Sequence, residues 1–266
     1  MTSRPAPLTF STVDGIGFAC AERSLRPEQL TQRYTPRTLG PLLELLSLIA
    51  AGRLPAHTAD QLITPDGTAP LITAIRDDRE KWSSPDNRRI GFIRAAPHTG
   101  ESFTAFLMDA QRAGREIAKL PGTAAGQLVA AMEELENNIH EHSNAADTGL
   151  LAYRAAEGTF EFVVVDRGIG VLNSLRQCTE FASMTDHGRA LEAALTDGAS
   201  RFGRNTGHGN GFRPIFLGLL NLSGDLRFRS GNHALTMQGT SPTLSTAQLA
   251  EKPMMDGFFV SVACRT

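Results

Sequence analysis

The second half of the chain contains a strong helical period of hydrophobic residues. At about 100° per residue, the apolar positions between residues 123 and 142 fall on one narrow stripe. This spacing predicts a helix from Thr123 to His142 with that stripe against the core. The stripe consists of Leu128, Met132, Leu135 and Ile139.

A second, polar line follows the same predicted helix. Glu134, Asn138 and His142 are spaced i, i+4, i+8, about a quarter turn from the apolar centre, so they are expected at the edge of the core where a cleft can open. Polar residues on a wet helix edge are the alternative interpretation. The neighbours predicted to point away from the apolar stripe are Glu133, Asn137, His140 and Glu141.

The next segment has the period of a strand. Residues 159–165 alternate at first and end in a run of valines, which is typical of a strand buried on both faces. Asp166 then lies at the strand end, followed by Gly168 and Gly170. Glycines at this spacing allow positive φ and close approach to a flat ligand, while the carboxylate can accept a hydrogen bond from an amino group. A plain β-turn is the alternative, because Asp and Gly are common in turns.

A glycine cluster precedes a further predicted helix, Phe212 to Leu222. Its backbone N–H groups could contact phosphate oxygens. The spacing is not that of a dinucleotide fingerprint, and none of the three lysines of the chain stands in a P-loop. The cluster comprises Gly207, His208, Gly209 and Gly211.

The remaining patterns predict an α+β chain. A polar, proline-containing break near residues 82–87 separates a mainly helical region, 1–85, from a second region, 86–266. In the first, helices are expected at 38–51, 59–63 and 69–78. In the second, a helix is expected at 103–119 and strands at 89–96, 148–155, 225–230, 233–238 and 258–263.

Composition excludes several classes of function. A formal charge of −2 disfavours nucleic-acid binding, and the longest apolar stretch, residues 39–51, is too short to span a bilayer. Three widely spaced cysteines and an N-terminus without a signal peptide favour a cytoplasmic protein. His140 and His142 are not expected to bind zinc as a pair, because i, i+2 side chains diverge by about 200° on a helix.

In their order and separation, the three motifs resemble the N, G1 and G2 boxes of the GHKL superfamily of ATPases and kinases. The resemblance covers about 180 residues from Arg88 onward. It implies a Bergerat-fold α/β sandwich, a mixed sheet covered on one face by helices, with ATP and Mg²⁺ as cofactors. It also implies that the polar stretch Thr196 to Asn210 is a mobile ATP lid.

Roles of individual residues follow from the same resemblance. Asn138 would hold Mg²⁺ on the phosphates, and Glu134, as the catalytic residue, would position or activate the attacking group. Asp166 would bind the exocyclic amine of adenine. The other residues expected to bind the nucleotide are His142, Gly168, Gly170, Gly207, His208, Gly209 and Gly211.

Among GHKL branches, the chain is most similar to stand-alone bacterial anti-sigma or switch-type serine kinases, whose partners are STAS-domain proteins. The resemblance implies a serine/threonine protein kinase acting on a STAS-like or other regulator, and a homodimer is compatible with it. A non-catalytic nucleotide-dependent interaction module and a histidine-kinase-like ATPase are the alternatives. The chain departs from the family at Gly257-Phe258, where Gly-Thr is usual, at an insert spanning 239–256, and at Asn210 in place of leucine.

Overall fold

The computed structural model describes residues 5–22, 32–64, 67–86, 89–195, 224–238 and 246–266. Its centre is a six-stranded sheet in the order β3-β4-β5-β6-β8-β7, in which every pairing is antiparallel. A separate parallel pair joins β1 and β2. The strands are β1 Ala6–Pro7, β2 Tyr34–Thr35, β3 Lys81–Ser83, β4 Ile90–Arg94, β5 Leu150–Ala156, β6 Thr159–Val165, β7 Gly224–Met237 and β8 Gln248–Arg265.

Helices cover both faces of this sheet. The first group lies before β3 and the second after β4 in the chain. The helices are α1 Phe10–Ala21, α2 Leu39–Ala50, α3 Thr58–Leu62, α4 Ala69–Arg76, α5 Gly100–Glu116, α6 Gly122–His142, α7 Gly170–Leu175 and α8 His187–Ala194.

One face of the sheet is packed against α5, α6, α7 and α8. The predicted stripe of α6 is buried in this layer, with Leu128, Met132, Leu135 and Ile139 all inaccessible to solvent. A capping box, in which Thr99 and Ser102 bond each other's backbone amides, fixes the start of α5. The amphipathic period of α6 therefore predicted both the helix and its buried side.

The opposite face is packed against the N-terminal helices. Leu42 and Leu45 of α2 are fully buried in one cluster with Phe92, Val163 and Phe259 of the sheet. The α+β class is confirmed, but the expectation of a mixed sheet covered on one face is wrong. The physical reason lies in β6, which is apolar on both sides and needs helices on both. The division into 1–85 and 86–266 stays a prediction, although both regions share this sheet.

A buried ionic cluster joins the N-terminal helices to β7. Arg227 lies 2.6 Å from Asp14 and 2.9 Å from Glu44, and Arg229 also bonds Glu44. Lys252 adds a contact to Asp14 at 3.1 Å. Glu44 and Arg229 are both fully inaccessible, so these charges depend on each other for compensation.

Several predicted boundaries differ from the structure. The two strands expected at 225–230 and 233–238 form the single strand β7, with bulges near Gly231. Strand β8 begins at Gln248, inside the expected insert, because residues 248–251 and Met255 pair with β7. Helix α1 was not predicted, and β3 lies partly within the expected break. Among the described residues, no helix is long and apolar enough to cross a membrane.

Candidate functional site

Helix α6 presents the predicted polar line at the edge of the core. Asn138 is 8% exposed, while Glu134 and His142 are half-buried. By contrast, Glu133 and Asn137 are exposed. The orientation of the helix therefore separates the two glutamates and the two asparagines as their spacing predicted.

Asn138 is held by its own helix. Its Nδ2 donates to the main-chain carbonyl of Glu134 at 2.8 Å. This bond leaves Oδ1 as the side-chain atom that could ligate Mg²⁺, a cation that prefers oxygen ligands. The third member of the line, His142, lies with Nε2 3.7 Å from a carboxylate oxygen of Glu141.

Asp166 lies at the end of β6 and is 1% exposed. Its Oδ1 accepts a hydrogen bond from the amide of Gly168 at 2.6 Å, while its own amide donates to the carbonyl of Phe258 at 3.0 Å. Within the described residues, Oδ2 is buried and has no hydrogen-bond partner. Burial raises the pKa of Asp166 to about 7, against the smaller lowering effect of the Gly168 amide. A buried acceptor without a partner is costly, and it suits a ligand that brings a donor.

Neighbouring side chains fix the turn that follows Asp166. The amide of Arg167 donates to Thr148 Oγ1 at 2.9 Å, and that of Val171 donates to Ser230 Oγ at 3.0 Å. Ser230 in turn donates to the carbonyl of Gly257 at 2.7 Å. Because the amides of Arg167 and Val171 already donate to these side chains, they are not free to bind phosphate oxygens.

Glycines are required where the turn meets other backbone. A Cβ at Gly168 would lie 2.1 Å from the carbonyl oxygen of Ser143, and Gly170 has a φ of +74°. Gly257 has a φ of +70°, and a Cβ there would lie 2.2 Å from the carbonyl oxygen of Asp166. Any larger residue at 257 would displace the carboxylate or its strand.

Ser143 joins the two predicted motifs. It is the C-cap of α6, and its carbonyl accepts from the amide of Ile169 at 2.9 Å. Asn138 precedes Ser143 by five residues, or about 7.5 Å along a helix axis. The Asp166 turn is thus packed against the end of the helix that carries Glu134 and Asn138. The third motif (Gly207, His208, Gly209 and Gly211), the expected lid and the helix at 212–222 lie outside the described residues.

Some residues of the site were not found from the sequence. Gly257 was noted only as a departure from the family pattern, and Ser230 had no local signal. Glu136 was also missed, although it stands four residues before His140 on α6 and bonds it. Residues spaced i, i+4 on a helix lie on the same side, so this spacing would have paired Glu136 with His140.

Comparison of the chain with protein-family models, with curated proteins and with solved structures gave no match.

Proposed function

We propose that this chain is an ATP- and Mg²⁺-binding regulatory protein of the GHKL type, acting as a serine/threonine kinase on a protein partner. The observation that carries the proposal is Asp166, a buried carboxylate whose Oδ2 has no hydrogen-bond partner among the described residues. A cytoplasmic location and a STAS-like partner belong to the same proposal.

Adenine fits this carboxylate better than guanine does. Its exocyclic amine can donate to Oδ2, whereas guanine carries an acceptor oxygen at the equivalent ring position. An oxygen facing a buried carboxylate would leave two acceptors unpaired and repelling.

The phosphates and the metal would lie towards α6. Asn138 Oδ1 is a suitable Mg²⁺ ligand, with phosphate and water oxygens completing the shell. Glu134, one turn earlier on the same side, would serve the chemical step as a base or by positioning the attacking hydroxyl. Contacts from Gly207 to Gly211 are part of the proposal on the basis of the sequence resemblance alone.

Calorimetric titration with ATP and GTP in the presence of Mg²⁺ tests nucleotide binding. In Asp166→Asn one of the two side-chain positions becomes an NH₂ group, so either the Gly168 bond or the bond to adenine is lost. Loss of such a bond costs about 1.5–3 kcal/mol, which is roughly a tenfold or greater loss of ATP affinity. Asp147→Asn, an exposed carboxylate on a nearby turn, is the control. Equal ATP affinity in the wild type and Asp166→Asn, or equal affinity of the wild type for ATP and GTP, would refute the proposal.

Transfer of labelled phosphate from ATP to a co-purified partner tests the kinase step. Glu134→Ala should keep ATP affinity within a few-fold and lose about 10²–10⁴-fold in turnover, whereas the exposed Glu133→Ala should change neither. If the wild type binds ATP but transfers phosphate to no partner and does not hydrolyse it, the protein is a nucleotide-gated interaction module instead.

A further inference from the structure

A second group of chemically active side chains lies where the start of α5 meets α6. His98 precedes α5, while Glu136 and His140 stand four residues apart on α6. The Nε2 atoms of His98 and His140 lie 2.8 Å and 2.6 Å from the same carboxylate oxygen, Glu136 Oε1. All three donor atoms lie within 4.8 Å of one another.

The group is distinct from the proposed nucleotide site. Glu136 is two residues from both Glu134 and Asn138, so its side chain leaves the helix about 200° away from theirs. It faces the α5 side, as its contact with His98 demonstrates. Ligand binding by this group therefore does not depend on ATP binding.

The arrangement is held in place before any ligand arrives. The His98 ring is stacked on Phe103 with a centroid distance of 4.9 Å and an interplanar angle of 9°. Glu136 is 4% exposed and is fixed by the packing of α6. His140, with a side chain 40% exposed, forms the solvent side of the group and leaves a path for an ion.

The donor set matches one class of ligand. Two imidazole nitrogens and one carboxylate oxygen are the ligands of zinc sites that keep a fourth position for water, and i, i+4 is the helical spacing that directs two side chains to one ion. Calcium and magnesium prefer sets made only of oxygen. An ion between these atoms would replace the hydrogen atoms that the imidazoles now share with the carboxylate.

We propose that His98, Glu136 and His140 bind one divalent transition-metal ion of the Zn²⁺ class, with water as the fourth ligand. Only a deprotonated nitrogen can ligate a metal, so on binding the proton of each neutral imidazole would move from Nε2 to Nδ1. The ion would join the start of α5 to the middle of α6. Its role would be to brace the helix that carries Glu134 and Asn138.

Titration of the chelator-treated full chain with Zn²⁺, under reducing conditions, tests the proposal. We expect one bound ion per chain and a higher melting temperature in the presence of Zn²⁺. His140→Ala, which changes a partly exposed side chain, should keep the fold and lose at least about tenfold in affinity, as should Glu136→Gln. His142→Ala and Glu141→Gln, on the same helix, are the matched controls and should bind as the wild type does.

Titration with Co²⁺ gives a second, spectroscopic measurement. Four-coordinate Co²⁺ in the wild type should give visible absorption that His140→Ala lacks and His142→Ala keeps. Absence of Zn²⁺ binding in the wild type would show that the group is only a buried ion pair. Equal binding by His140→Ala and the wild type would show that the ion binds elsewhere. Either result would overturn the proposal.

Discussion

Ionisation of Asp166 should couple both nucleotide binding and stability to pH. Its pKa is raised from the ordinary 3.8 to about 7, chiefly because burial disfavours the charged carboxylate. A shift of that size corresponds to about 4 kcal/mol between the two protonation states. Below pH 7 the carboxyl group of Asp166 is therefore mostly neutral, and a protonated Oδ2 would present a hydrogen-bond donor where the amine of adenine needs an acceptor.

ATP binding should become tighter as Asp166 ionises. ATP affinity should rise with pH and level off above about 7, with roughly a tenfold loss per unit below it, so pH 6 should be about tenfold weaker than pH 8. Calorimetry at pH 6 in two buffers of different ionisation enthalpy should detect about one proton released per ATP bound. In Asp166→Asn, the ATP affinity should still change with ionisation of the ATP phosphates but not with ionisation of a carboxyl group at position 166. The difference in pH dependence of ATP affinity between the two proteins therefore reports on Asp166.

Stability should change in the opposite direction. A raised pKa in the folded state adds stability that is complete below pH 3.8 and lost as pH rises through about 7. Asp166→Asn stays neutral, so at pH 8 it should unfold at a higher urea concentration than the wild type. Its free energy of unfolding should exceed that of the wild type by at most about 4 kcal/mol, although it binds ATP more weakly. A difference in unfolding free energy between the two proteins that is constant from pH 4.5 to 8 would refute the reasoning.

Three other substitutions test the proposed Mg²⁺ ligand, the buried ionic cluster and the close packing of Gly257 against Asp166. Asn138→Ala should abolish the Mg²⁺ enhancement of ATP binding while the exposed Asn137→Ala keeps it, and equal effects in calorimetry would contradict the assigned ligand. Glu44→Ala leaves the buried Arg229 without its hydrogen-bonded carboxylate and should cost about 3–5 kcal/mol in urea unfolding; a loss below about 1 kcal/mol would argue against the ionic cluster. Gly257→Ala should lose ATP binding and stability. The control is Gly52→Ala, because Gly52 has a similar φ, +69°, but no atom lies within 4 Å of a Cβ there; its free energy of unfolding should fall by only about 1 kcal/mol in thermal unfolding.

Local periodicity in the sequence determined the elements that carry the candidate site. The 3.6-residue period of α6 gave its length, its buried stripe and the separation of Asn138 from Asn137, because all of these follow from one helix alone. The valine run of β6 likewise predicted the strand and the place of Asp166 at its end. Neither result needed knowledge of distant residues.

Tertiary structure decided how these elements are buried and what surrounds them. The N-terminal helices cover the second face of the sheet because strands apolar on both sides must be buried on both, but the sequence does not state which helices do so. The pairing of residues 248–251 and Met255 with β7 depends on contacts between strands and not on a local period. The raised pKa of Asp166 depends chiefly on the layers that exclude water, and the lowering contributions to it include Phe258, ninety-two positions later in the chain. The meeting of His98 with Glu136 has the same origin, since side chains 38 residues apart come together only when α5 packs on α6.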